Sequence, residues 1–371
     1  MSFRRLWAVA RKETIQLRRD PRSLLMGFAM PALLLVLFGY AITWDVKDIR
    51  TAVLDQDGSA RSRELLETFW ASGYFTPVVR LERSAEVNRA IDQGRVLVAL
   101  VIPPDFGRDL DAGRPARLQV VVDGSDANTA TIALGYARAL VTSYSGRILF
   151  QGRQFRPPVR SQTRIWYNEE LLSKNMIVPG LVATIMMIIA AMLSSLTIAR
   201  EWERGTMEQL AATPVRRSEV VLGKLLPYVA IGILDILLVT VIGVLLFGVP
   251  FRGSPLLLMP LSLAFIVGSL GLGMFISAVA RNQLLATQIA LMTTFLPAFL
   301  LSGFMYAIDV MPRPLQLITY LVPARYFLVV TRGIFLKGVG VEVLRVEGLL
   351  MIAFAIVGLG AAIRAFRKGI E

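Results

Sequence analysis

The chain contains no cysteine and no histidine among its 371 residues. Without cysteine there is no disulfide framework and no thiolate chemistry. Without histidine the sequence lacks the commonest general base and the commonest metal ligand. A hydrolase or a metalloenzyme is therefore disfavoured, and we assign no catalytic residue and no metal site.

A phosphate-binding loop of the form Gly-x-x-x-x-Gly-Lys-Ser/Thr is also missing from the sequence. The nearest approach, Gly223-Lys224, is followed by Leu225 instead of a hydroxyl residue, and the upstream glycine is lacking. The chain is therefore not expected to hold a nucleotide by this motif.

What the chain has in excess is apolar residues, which make up 55% of it. Soluble domains average about 45–50% apolar residues, so the excess indicates a membrane protein. The net charge of +13 is unevenly distributed: residues 1–22 carry +5, whereas the longer segment 45–174 carries only +2. Basic residues that flank apolar segments follow the positive-inside pattern, whereas a nucleic-acid-binding protein concentrates them on a folded domain. No nucleic-acid partner is expected.

These patterns predict an α-helical integral membrane protein with six transmembrane helices and an extracytoplasmic α/β domain between the first and second. Residues 1–22 form an amphipathic cytoplasmic helix, and residues 23–44 form the first span. Strand-like and helix-like segments alternate in residues 45–175, which is typical of an α/β domain. Residues 176–371 hold helices two to six. The predicted spans are 176–199, 221–247, 256–280, 284–306 and 348–363.

Counting six spans from a basic cytoplasmic N-terminus also places the C-terminus in the cytoplasm. Residues 307–347 are interrupted by prolines and arginines, yet contain apolar stretches. Such a segment is too broken to span the membrane and too apolar for a free loop. We expect an outer re-entrant or interfacial helical hairpin packed against protein.

A short charged island, residues 200–214, separates two long apolar runs on the predicted cytoplasmic side. Thr206 and Gln209 have the spacing of a capping box, which predicts a short helix over 207–212 that stops at Thr213-Pro214. Glu201, Glu203 and Glu208 are expected to be exposed beside Trp202 and Leu210. A polar rim with apolar knobs is typical of a docking surface, and a plain solvated turn is the alternative.

The island resembles the cytoplasmic signature of type-2 ABC exporter permeases. The matching residues are Glu201, Glu203, Arg204, Gly205, Thr206, Glu208, Leu210, Thr213 and Pro214, followed by Glu219 and Gly223-Lys224. Further similarities are Arg11-Lys12-Glu13 and residues 19–22 near the start, 166–168 and 178–180 at the entry to the second span, and 311–312, 323–325 and Arg332 in the last outer loop. The sequence departs from the family where Glu169 follows Tyr167-Asn168, since a proline is frequent there.

The resemblance implies that residues 201–214 contain a coupling helix seated on a separate cytoplasmic ATPase subunit, which binds ATP and magnesium. The chain itself then needs no cofactor. It further implies a dimer with a second permease, either a homodimer or a paralogous heterodimer, in the lipids of a bacterial inner membrane. Whether a periplasmic adaptor protein binds the outer domain stays open.

The expected cargo is an amphipathic drug or a lipid-like molecule, because the spans lack a dense charged binding site. Candidate path-lining residues are the small or polar residues Ser194, Thr197, Thr287, Gln288 and Thr293, and the acidic Asp235. Small and polar residues within spans also pack helices together, which is the alternative role.

Asp235 is the most distinctive single residue, since it is predicted in the middle of a span with no basic residue within a turn. An intramembrane carboxylate costs about 2.5 kcal/mol or more, and therefore suggests a function. A cation or proton site and a protonated acid at a helix interface both remain open. The first option defines an alternative function, an ion-coupled secondary transporter. A membrane-anchored sensor is disfavoured because few residues follow the last predicted span.

Overall fold

The computed structural model describes residues 1–42, 46–149, 164, 166–170 and 172–366. The chain divides into two compact units, a helical unit of Met1–Thr43 with Ile165–Glu371 and an α/β unit of Trp44–Arg164. The predicted α/β domain, 45–175, is longer at its C-terminal side, because residues 173–175 already belong to a long helix. The end of the predicted first span, the first residue of the predicted α/β domain (residues 43–45) and the end of the predicted cytoplasmic C-terminus (367–371) lie outside the described residues.

The N-terminal part of the helical unit begins with α1, Phe3–Arg18. Its buried residues include Leu6, Val9, Glu13 and Leu17, which recur every three or four residues and so share one face. The following helices are α2 (Pro21–Leu24), a π-helical turn (Leu25–Ala29) and α3 (Met30–Ala41).

The α/β unit is built on a four-stranded sheet of order β2-β1-β3-β4. Its elements in chain order are β1 (Ile49–Asp55), α4 (Ala60–Ala71), β2 (Phe75–Arg80), α5 (Ser84–Asp92), β3 (Val98–Ile102), α6 (Phe106–Asp111), β4 (Gln119–Val122) and α7 (Ala127–Leu149). The central strand β1 runs parallel to β2 and β3, whereas β4 runs antiparallel to β3. In the register, Thr51 lies beside Val98 and Val98 beside Val122.

Helices cover both faces of this sheet. Alternate residues of a strand point to opposite faces, so Val98, Leu100 and Ile102 of β3 pack with α4 and α7, around Phe69 and Tyr144. Ala99 points the other way and packs in a second cluster with residues of α5. Burial of β3 on both faces explains its nearly continuous apolar sequence.

The rest of the helical unit consists of long apolar helices and their connections. The helices are α8 (Ser173–Glu203), α9 (Met207–Ala211), α10 (Arg217–Leu245), α11 (Pro255–Ala280), α12 (Gln283–Leu296), α13 (Arg313–Thr319), α14 (Pro323–Arg332) and α15 (Val341–Ala365). Short π-helical segments extend α12 over Pro297–Leu301 and α14 over Gly333–Lys337, and Ile308–Val310 forms a 3-10 turn.

Five helices in the described part of the chain are long and apolar enough to cross a membrane: α8, α10, α11, α12 with its extension, and α15. The structure differs from the predicted first span, 23–44, because the apolar helix described there covers only Leu25–Ala41. It is also interrupted by the π-helical turn next to α3. The chain is therefore a multi-pass helical protein, and the count of six spans stays a prediction.

The segment 307–347 is helical over much of its length. Arg313–Thr319 and Pro323–Lys337 form a pair bent by 77°, which fits either a broken span or a re-entrant hairpin. Helix α15 begins at Val341, before the predicted C-terminal limit of this segment at residue 347.

The centre of the helical unit is α8, which packs against α3, α10, α11, α12 and α14. Its sequence explains this position, since residues 176–199 carry no charge and the helix is apolar on all sides. Contact with α11 is very close at Gly273, where a side chain would overlap the Ala191 carbonyl. The Ser277 hydroxyl of α11 accepts hydrogen bonds from the N–H groups of Ile198 and Ala199 at 3.0 and 2.9 Å. The C-terminal end of α8 is therefore fixed by its neighbours.

Candidate functional site

The island 200–214 forms a compact connection between α8 and α10. Arg204 follows the last residue of α8, and Gly205 then adopts a φ of +67°, a conformation in which glycine is favoured. The short helix α9 follows and is anchored by Met207, which is 2% exposed. The prediction of a short helix in this segment agrees with the structure to within one residue at its end.

The predicted capping box at Thr206 is wrong. Thr206 has helical backbone angles, and its side chain makes no capping hydrogen bond. Its hydroxyl instead donates to the carboxylate of Glu201. A Glu219 carboxylate does cap the next helix, since it accepts from the Arg216 N–H at 2.8 Å and from the Ser2 N–H at 2.6 Å.

Glu201 is also not exposed, contrary to the expectation for a docking residue. It is 3% exposed and bonds the Lys224 ammonium of α10 at 2.9 Å. Lys224 is equally buried and forms a second ion pair with Glu13 of α1 at 2.8 Å. One buried lysine thus joins carboxylates from two other helices.

Two more side chains complete this cluster. The Tyr228 hydroxyl donates to the second oxygen of Glu13 at 3.0 Å, and Lys12, half exposed, bonds Glu201 at 2.9 Å. With two lysines and two glutamates the cluster is formally neutral. We call Lys12, Glu13, Glu201, Lys224 and Tyr228 the buried ion cluster.

The energetics of the buried ion cluster depend on its completeness. Charges removed from water are tolerated only when they are paired and hydrogen-bonded. Removing one partner of a buried pair typically costs about 3–5 kcal/mol, because the other charge is left without compensation. The cluster therefore holds α1, α8 and α10 in one arrangement.

A further ion pair, outside the buried ion cluster, fixes the start of the first apolar helix to α8. Arg200 contacts the Asp20 carboxylate at 3.0 Å, and Asp20 also accepts from the Ser23 hydroxyl at 2.7 Å. Arg200 is 8% exposed. The turn between α1 and α2 is thereby attached to the helix that carries the island.

A third set of contacts joins the end of α8 to the start of α12. The Glu203 carboxylate accepts from the backbone N–H of Gln283 at 2.8 Å and from its side-chain amide. The Arg281 guanidinium lies 4.6 Å from the centre of the Trp202 ring, a cation–π distance. Trp202 is therefore half-buried rather than a free apolar knob.

Helix α1 packs closely across α10 at Gly223. A Cβ at this position would lie 2.8 Å from the Val9 Cβ and 2.9 Å from the Leu6 carbonyl oxygen. Only glycine permits this approach, which brings Glu13 within reach of Lys224. Arg5 adds a hydrogen bond to the Pro214 carbonyl at 2.5 Å.

The exposed part of the island is smaller than predicted. Among the predicted coupling residues, Glu203, Arg204, Gly205, Glu208, Thr213 and Pro214 are exposed. Thr206 and Leu210 are half-buried, and Glu201 is buried. The island therefore offers a small exposed surface of mixed charge on a helical turn, and the buried ion cluster lies beneath this turn.

The predicted path-lining residues are not gathered at one place. Ser194 and Thr197 are buried in α8, and their hydroxyls donate to their own helix at the carbonyls of Ala190 and Ser194. Thr287, Gln288 and Thr293 lie on α12, where Gln288 and Thr293 are exposed. Helix packing accounts for the first two residues, and a surface of α12 remains available for the others.

Asp235 lies in α10 and is 1% exposed. Its Oδ1 atom has no hydrogen-bond partner among the described residues. This geometry is compatible with both an ion site and a protonated acid at a helix interface. The described residues contain no group of histidine, cysteine or acidic side chains arranged for a metal ion.

Sequence reasoning missed the buried ion cluster. Lys224 stands alone in an apolar run, and Glu13 is an acid on a basic helix, so each is visible as an exception. Their separation of 211 residues gives no means of pairing them.

The chain is similar to known transport proteins over nearly its whole length. Residues 22–364 match the family described as ABC-2 family transporter protein. The probable multidrug ABC transporter permease YbhS of Escherichia coli K12 is 40% identical, with 97% of this chain and 96% of the relative covered. The probable multidrug ABC transporter permease YbhR of the same organism is 32% identical, with 92% of each chain covered. The linearmycin resistance permease protein LnrN of Bacillus subtilis is 23% identical, with 98% of this chain and all of the relative covered.

Proposed function

Because the chain belongs to the ABC-2 transporter family, in which it is a permease subunit, we propose that it moves amphipathic drugs or lipid-like molecules out of the cytoplasm or inner leaflet. A separate ATPase subunit supplies the energy and docks on residues 201–214. The observation that carries this proposal is the arrangement of α9, an exposed helical turn placed directly on the buried ion cluster.

The docking surface consists of the exposed side chains around α9. Arg204 and Glu208 offer opposite charges, whereas Met207 faces inward and fixes the turn. Mixed charge around a small protrusion fits a groove on a partner protein. From the sequence, Glu201 is expected to contact the ATPase directly. It is instead proposed to hold the turn in place, because its carboxylate accepts a hydrogen bond from the Thr206 hydroxyl.

Force applied to α9 would reach several helices at once. Thr206, which precedes α9, bonds Glu201, and Glu201 bonds Lys224 of α10. Lys224 bonds Glu13 of α1, and Glu203 bonds the first residue of α12. A displacement of the docked ATPase therefore moves the ends of α1, α8, α10 and α12 together.

The proposed assembly follows from this division of labour. ATP and magnesium bind to the partner ATPase, and this chain contributes no cofactor. A second permease, identical or paralogous, completes the translocation path. The proposed location is the bacterial inner membrane, with both termini in the cytoplasm and the α/β unit outside, where a periplasmic adaptor is a candidate partner.

The proposed cargo class rests on two supports. Two relatives are named as probable multidrug permeases. The candidate path residues Thr287, Gln288 and Thr293 are uncharged, and α12 contains no charged residue. An uncharged path with scattered hydroxyl and amide groups suits amphipathic molecules better than small ions.

Co-purification with the ATPase tests the docking surface. Glu208→Arg reverses an exposed charge of α9, so the tagged permease should retain much less ATPase. The matched control is Glu342→Arg, an exposed glutamate in the first turn of α15, which should retain the wild-type amount. Equal retention by both variants, or a chain that never retains an ATPase, would contradict the proposal.

Ion-coupled transport through Asp235 is the second candidate. The observation that favours it is the buried carboxyl oxygen without a partner among the described residues. Asp235→Asn keeps the shape of the side chain and removes its charge. In reconstituted vesicles with ATP, unchanged flux would eliminate this candidate, whereas loss of a proton- or sodium-driven flux with normal assembly would favour it.

A further inference from the structure

A cavity of about 820 Å³ opens beside the buried ion cluster, between α1, the turn before α2, the end of α8 and the start of α12. Its volume lies within the range of about 300–1,000 Å³ that is usual for small-molecule sites. All its walls belong to the helical unit. None of the contacts described above requires the space to be filled.

The polar wall of the cavity is strongly basic. Lys12, Arg19, Arg200 and Arg204 line it together with one carboxylate, Asp20. Lys12 lies on α1, and Arg19 directly follows the last residue of that helix. The wall therefore has a surplus of positive charge on two separate helices.

Two of these cations have no counter-ion among the described residues. Lys12 is paired with Glu201, and Arg200 with Asp20. Arg19 and Arg204 form no ion pair and no side-chain hydrogen bond with any described residue. Two guanidinium groups that line one cavity, without a partner in the described part of the chain, can bind an anion, and guanidinium matches the geometry of phosphate oxygens.

The other wall of the cavity is apolar. Met26 and Leu196 line it, and Leu196 lies one helical turn before Arg200, toward the interior of a candidate membrane span. The carboxyl end of α8 would repel an anion slightly, but Arg200 and Arg204 reverse the local charge. A cationic rim above an apolar floor matches the charge pattern of an amphiphile at a membrane surface.

We propose that this cavity binds a phosphate-bearing anion, and that its apolar floor selects a membrane phospholipid, which also carries acyl chains, over free phosphate. A basic pocket between helices at the cytoplasmic membrane surface is a recurrent site for anionic lipid headgroups. A bound headgroup would bridge Arg19 after α1 and Arg204 after α8. The lipid would therefore reinforce the same junction as the buried ion cluster.

The test uses the purified full-length chain in detergent, titrated with dioleoyl phosphatidylglycerol or dioleoyl phosphatidylcholine, with bound lipid counted by native mass spectrometry. The wild type should retain phosphatidylglycerol in preference to phosphatidylcholine. Arg19→Gln with Arg204→Gln should weaken phosphatidylglycerol binding by about tenfold or more, as the loss of charge-assisted contacts predicts.

The matched control is Arg18→Gln with Arg217→Gln, which removes the same charge from exposed positions that do not line the cavity. It should bind as the wild type does. Arg19→Gln alone, at an exposed residue that pairs with no described carboxylate, keeps the test valid if the double variant does not fold. A parallel titration with inorganic phosphate tests the selectivity: displacement of the lipid would contradict selection over free phosphate, and no displacement supports a lipid-selective site.

Two results would overturn the proposal. The first is equal retention of the two lipids by the wild type. The second is an equal loss of phosphatidylglycerol in the cavity variant and the control variant, which would show attraction to surface charge in general. The readout is lipid binding without ATP or ATPase, so its failure is distinct from failure of the proposed transport function.

Discussion

The two units of the chain use the same types of charged side chain in opposite ways. In the α/β unit, ion pairs such as Arg83–Glu86 and Arg61–Glu64 join residues three positions apart on the surface. In the helical unit, Lys224 joins Glu13 and Glu201, with both partners in each pair at most 4% exposed. The first kind of pair is local and hydrated, and the second is buried and connects distant parts of the chain.

The difference indicates which charges have a mechanical role. An exposed pair contributes about 0–1 kcal/mol, because water and salt screen both charges. A buried cluster is not an efficient source of stability either, since desolvation offsets much of the attraction. It does penalise any movement that separates its members, and this is the property that a force-transmitting junction needs.

The largest expected effect comes from removing the central cation. Lys224→Met leaves the carboxylates of Glu13 and Glu201 buried without their common partner, which should destabilise the helical unit by about 3–5 kcal/mol. Thermal unfolding and the yield of monodisperse protein measure this. Adding Glu13→Gln to Lys224→Met should restore part of the loss, because one buried charge is then neutral. A Lys224→Met protein as stable as the wild type would remove the distinction between the two units.

A smaller loss is expected from separating α1 from α10. Gly223→Val places a side chain against Val9 and the Leu6 carbonyl, and overpacking of this kind costs about 1–3 kcal/mol. Protease sensitivity of α1, together with thermal unfolding, measures the effect. Gly360→Ala in α15 is the control, because a Cβ there meets no atom within 4 Å. Equal behaviour of the two variants would show that α1 is not held at Gly223.

Lys12→Ala should have an intermediate effect on stability, because the Lys12–Glu201 pair is buried on one side only. Its ammonium binds the buried Glu201, but its own side chain is 53% exposed. Solvent screening should limit the loss to no more than about 1 kcal/mol, and salt should reduce it further. Thermal unfolding at low and high salt measures this. A loss as large as that of Lys224→Met would contradict the assignment of Lys224 as the central cation.

The smallest effect is expected in the α/β unit. Arg83→Ala removes a partner of Glu86 that is 80% exposed, and should leave the unfolding temperature unchanged. A measurable loss at Arg83 would show that surface pairs matter more in this chain than their exposure indicates.

The long apolar helices could be predicted from the sequence, because a bilayer is the environment that accommodates uncharged apolar runs of about 20 residues. The same reasoning fails at interruptions. It extends the first span over 23–44, although helix α3 is preceded by a π-helical turn, and it ends the outer segment at residue 347, inside α15. Hydropathy averages over a window and does not detect where one helix bends or another begins.

The position of the island could be predicted from the sequence, but the burial and the contacts of its side chains could not. Glu201 stands next to Trp202 and Glu203 in a charged stretch, and nothing local distinguishes the buried carboxylate from the exposed one. The distinction comes from helix packing, since α1 and α10 place two lysines beside Glu201. The prediction of Thr206 as a helix cap is wrong for the same reason, because local spacing does not show that Glu201 lies within reach of its hydroxyl.

The most direct test of the account asks whether α9 and α1 move as one body. The chain lacks cysteine, so Glu208→Cys and Arg11→Cys give a clean pair of spin labels on exposed positions of these helices. Double electron–electron resonance between the two labels should give a narrow distance distribution in the otherwise wild-type protein. The distribution should be broad after Glu13→Gln with Lys224→Met. If removing the buried ion cluster leaves the distribution narrow and unchanged, the cluster does not join the docking helix to the rest of the unit.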